Sequence, residues 1–191
     1  MKIYRDHCYE IDQETAYFGD ILKTNTHYII PFLNIGVTKN HPLSLNKKHT
    51  YIDKAYWVFE NIKSVKEFIY YPDSGYITNQ EIFNTNYERN EVYLLGGELF
   101  KSMQKSSQSL YFEWEIWAES CFLQILENSK LSNDLFIPFD TPAFKQNVNI
   151  NNMAEFLENK HLPDNLKKLI ESDTSTIRKV YQTDYQEPVL A

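Results

Sequence analysis

Between Tyr111 and Ile125 the chain reads YFEWEIWAESCFLQI, which sets Glu113, Glu115 and Glu119 among aromatic and aliphatic residues. Carboxylates held side by side are what general acid–base chemistry requires. On a strand, residues two apart share a face at about 7 Å, a separation that inverting glycosidases use for their acid and base. A solvated strand face with alternate glutamates has the same spacing, and its like charges need water or a basic group to relieve them. Read as a strand, Phe112, Trp114, Ile116 and Ala118 face one way and Glu113, Glu115, Trp117 and Glu119 the other. A tryptophan exposed within an acidic row is typical of an interface anchor. The row is therefore expected to bind rather than catalyse, with Tyr76 and Glu98 on neighbouring hairpins as further contacts, and no catalytic residue is assigned.

The other reactive side chains point to no chemistry. His7, His27, His41, His49 and His161 form neither an HxH nor an HExxH pattern, and His41 and His49 bracket a Lys-rich loop, so no metal is expected. Cys8 and Cys121 are far apart in no metal spacing, and a reducing compartment would leave them as packed thiols. His7 directly precedes Cys8, and neighbours on an extended chain point apart, which separates that imidazole from the thiol. Gly36 and the Gly96-Gly97 pair lack the spacing of a phosphate-binding loop. No cofactor is expected.

Charge limits the partners. The chain of 191 residues carries a net charge of -7, which repels nucleic acid and anionic membranes. Residues 51–127 hold six basic and twelve acidic side chains, so a basic protein would meet the middle of the chain first. The N-terminal MKIYRDHCYEIDQETAYF has charges where a signal peptide needs an apolar run, and no stretch of about 18 apolar residues occurs, so a soluble, cytoplasmic protein is expected.

The elements that must position the acidic row read as mainly antiparallel β, in an α+β domain with a sandwich-like or curved sheet over residues 1–127. TAYFGDIL and THYIIPFL are rich in aromatic and β-branched residues, and Pro31 argues for an edge or a bulge. IYYPDSGYI predicts a hairpin around Pro72–Gly75, and EVYLLGGELF a tight turn at Gly96-Gly97. In DKAYWVFENIKSVKEFIYY, Val58, Ile62, Val65 and Ile69 recur at helical spacing while Tyr56, Val58 and Glu60 alternate; two strands broken near Glu60-Asn61 are the favoured reading. A connection over 128–150 leads to a helical pair over 151–172, with Asn151 or Asn152 as N-cap, Glu155 in the first turn and a stop before Pro163. Residues 173–191 read as a tail, and the whole as one domain.

YWVFENIKSVKEF, followed by the GG segment and the EWEIWAES strand, resembles the bacterial immunity proteins of polymorphic or contact-dependent toxin systems. The resemblance implies a cofactor-free protein that occludes the active site of a partner, possible partners including a basic toxin domain, which an acidic surface would steer into place. The alternative is a carbohydrate-binding or carbohydrate-active β-sandwich, with exposed Tyr and Trp stacking on sugars and Glu113 and Glu115 in acid–base roles. A structural or assembly role would require self-association.

Overall fold

The computed structural model describes residues 1–71, 75–82, 92–99, 111–137, 150–172 and 178–180. Its described strands are β1 (Lys2–Tyr4), β2 (Ile11–Asp12), β3 (Tyr17–Phe18), β4 (Ile21–Lys23), β5 (His27–Val37), β6 (Thr50–Tyr71), β7 (Gly75–Ile82), β8 (Val92–Leu99), β9 (Tyr111–Ile125), β10 (Leu131–Ser132) and β11 (Arg178–Val180). Among the described residues, two α-helices follow β10, α1 (Ile150–Leu157) and α2 (Asp164–Ser172). The chain is thus mainly antiparallel β with a short helical pair near its C-terminal end, as expected. Both helices match the expected positions, but α1 already starts at Ile150, so Asn151 and Asn152 lie inside it rather than capping it. Residues 138–149 and 181–191, parts of the expected connection and tail, lie outside the described residues.

The frame is set by β6, which pairs with β5 along one half and with β7 along the other, and faces β9 across almost its whole length. β8 extends the sheet beyond β9, and two-residue β3 bridges β8, in parallel, to β5. The curvature this imposes gives the sheet an inner face lined by Phe18, Tyr28, Phe32, Trp57, Phe59, Phe112 and Trp114. Phe18 meets Phe112 and Trp114 edge-on, with ring centroids 5.1 and 4.7 Å away. Burying each large ring removes enough apolar surface to be worth about 1.5–3 kcal/mol. The opposite face, at Tyr56, Val58 and Phe122, is covered by Phe156, Leu157, Leu166 and Ile170 of α1 and α2.

Neither proposed break in the β reading survives as a break. β6 is one strand of 22 residues, but its alternation fails where a break was expected: Asn61 has φ 52°, and the β6–β9 register shifts between Ile62 and Ser64. Phe59, Ile62 and Val65 all reach the inner core despite their three-residue spacing, and so do Ala118 and Cys121 opposite them. The bulge thus brings Ile62 and Val65 to one face, whereas Val58, the first of the helix-spaced residues, lies on the opposite face. Gly96-Gly97 is not a turn. Both glycines lie within β8, opposite Glu113 and Phe112, where a strand interior takes glycine at the cost of a cross-strand side chain. The hairpin around Pro72–Gly75 does form, with Tyr71 paired to Gly75, while residues 72–74 lie outside the described residues. Pro31 is not on an edge strand, since β5 has neighbours on both sides. Its carbonyl accepts from Gly19 N–H at 3.1 Å, so its missing N–H faces the gap between β3 and β4 and costs no ladder bond to β6.

The two cysteines correct the expectation of separate thiols. Cys8, in a 3-10 turn at Cys8–Glu10, and Cys121, on β9, form a disulfide across a sequence separation of 113. Spacing along the chain concealed this, because β1 pairs with the end of β9, Tyr4 opposite Leu123, and carries the following turn onto that strand.

Candidate binding face

β9 presents the acidic row as its alternation requires. Phe112, Trp114, Ile116 and Ala118 enter the core, and Glu113, Glu115 and Trp117 share the other face. In the antiparallel register Glu113 stands opposite Phe68, Glu115 opposite Lys66 and Trp117 opposite Ser64, all on β6. Lys66 and Phe68 were not singled out from the sequence; they alternate as on any strand, and only the register reveals that they join the row. The Lys66 ammonium lies over the Phe68 ring, 4.9 Å from its centroid. This cation–π contact places a positive charge beside the glutamates and relieves their repulsion.

Trp117 is not the exposed anchor expected. It is 8% exposed, and its indole N–H donates to Glu115 Oε1 at 2.8 Å. The bond to Glu115 holds the indole along the strand, with buried Ser64 opposite it on β6. Glu115 thereby has a structural task, orienting the indole. Glu113, half-exposed, makes no hydrogen bond or ion pair among the described residues.

Glu119 is separated from that row. It is exposed beyond the bulge, accepts from Asn61 Nδ2 at 2.7 Å and pairs with Lys63 Nζ at 2.7 Å. The hydrogen bond from Lys63, then that from Asn61, then the Lys63 charge hold its carboxyl below the usual carboxylate range. The expected row of four therefore divides into a Glu113–Glu115–Trp117 unit and a neutralised Glu119. Of the weaker candidates, Tyr76 on β7 pairs with Tyr70 on β6, and Glu98 on β8 lies between Tyr17 and Tyr111. Their side chains lie outside the described residues.

A second polar group lies at the Glu60 end of the β6–β9 pair. The Arg5 guanidinium sits 4.6 Å from the Phe122 ring centroid and donates to Glu60, which also accepts from Ser120 Oγ at 2.7 Å. Burial pushes the Glu60 pKa up, but the hydrogen bonds from Arg5 and Ser120 and the charges of Arg5 and His27 outweigh it and leave it lowered. Among the described residues, no group of three His, Cys, Asp or Glu side chains is placed to hold a metal ion. No described helix is long and apolar enough to cross a membrane. Comparison with family models, curated proteins and solved structures finds no match to this chain.

Proposed function

We propose that this protein is a non-enzymatic protein-binding protein of the toxin-neutralising immunity type, which occludes a basic partner's active site with the β6–β9 face opposite the core. The observation that supports this most is the surface of Glu113, Glu115, Lys66 and Phe68, in which Lys66 lies over Phe68 and Glu115 is held by the indole N–H of buried Trp117. Side chains already held in place lose little freedom on binding, so their contacts convert more fully into affinity. Glu113 is the carboxylate of this surface best placed to meet a partner's cation, and the net charge of -7 adds long-range attraction toward a basic domain. In a reducing cytoplasm, the expected compartment, the Cys8–Cys121 pair would be held as thiols.

The test is a calorimetric titration of this protein into the C-terminal domain of the protein encoded immediately upstream of its gene. A one-to-one complex of nanomolar affinity, weakened at least tenfold by Glu113→Lys with the fold intact, is the expected result. No heat at micromolar concentrations overturns the reading. Full affinity in Glu113→Lys removes this face from it.

A further inference from the structure

We draw no further inference here: the strongest candidate, the side-chain cluster of Tyr4, His7, Glu10 and buried His41 between the first ten residues and the loop after β5, leaves His41 Nε2 without a hydrogen-bond partner, but among the described residues no three His, Cys, Asp or Glu side chains are placed to hold a metal ion, and nothing in the structure shows what would occupy it.

Discussion

His41 makes stability depend on pH through a single side chain. It is 2% exposed, its Nδ1 accepts from Leu43 N–H at 3.1 Å, and burial, then the nearby His7, pull its pKa from 6.5 to about 4. Between those values the unfolded chain takes up a proton that the folded chain refuses, so stability is full above pH 6.5 and falls as the pH drops toward 4, by up to about 3 kcal/mol. Urea midpoints measured across this range should show the slope, and His41→Asn, which keeps an acceptor for Leu43, should flatten it. Asn34 is a second buried polar side chain on which stability rests, through hydrogen bonds rather than charge. It holds φ 64° fully buried, donates to the Thr15 and Ile137 carbonyls at 3.2 and 3.0 Å, and accepts from the Phe136 and Ile137 N–H groups at 2.9 and 3.3 Å. Asn34→Gly keeps the conformation but leaves those backbone groups unpaired, at a cost of about 2–3 kcal/mol. Asn34→Ala adds about 1 kcal/mol for the left-handed backbone. Denaturant unfolding should rank the two in that order; equal losses would show that the hydrogen bonds alone matter.

At the scale of elements, the helical pair is fastened to the sheet at two points. Asp20 N–H donates to the Leu157 carbonyl at 2.7 Å, and Asn159, with φ 57°, returns a side-chain bond to the Asp20 carbonyl at 2.6 Å, closing the end of α1 over the break between β3 and β4. Gln124 on β9 and Asn165 on α2 exchange amide hydrogen bonds at 3.1 and 2.7 Å. The first contact depends on Gly19, where an added Cβ would lie 2.3 Å from the Leu157 carbonyl oxygen. Backbone cannot swing aside as a side-chain tip can. Gly19→Ala is therefore expected to cost about 1–3 kcal/mol. It should also raise hydrogen exchange in Ile150–Leu157 ahead of β5; uniform exchange would show that α1 does not undock separately.

For the whole molecule, the disulfide closes a loop of more than 100 residues and ties the first ten to the middle strand of the sheet. Removing such a link widens the unfolded ensemble. Reduction, or Cys121→Ser, is expected to lower the global stability by about 2–5 kcal/mol while the strand content is retained. Far-ultraviolet circular dichroism with denaturant titration, with and without reductant, measures both quantities, and an unchanged midpoint would show that the bond contributes nothing to the equilibrium.

Local pattern was enough for the mainly antiparallel sheet, the hairpin before Gly75, the inward set Phe112–Trp114–Ile116–Ala118 and the helical pair either side of Pro163, because alternation, turn residues and helix stops act between neighbours in the chain. The irregularity at Glu60-Asn61 was legible too, but as a break rather than a bulge, since a strand that shifts register and one that ends disturb alternation alike. Register, and with it the site, was not legible. That Lys66 and Phe68 stand beside Glu115 and Glu113, that Trp117 is buried, that Glu119 belongs to Lys63 and that Cys8 reaches Cys121 all depend on which strands lie side by side and in what phase. Those pairings form across tens of residues, and only the closing of the curved sheet around its aromatic core fixes them.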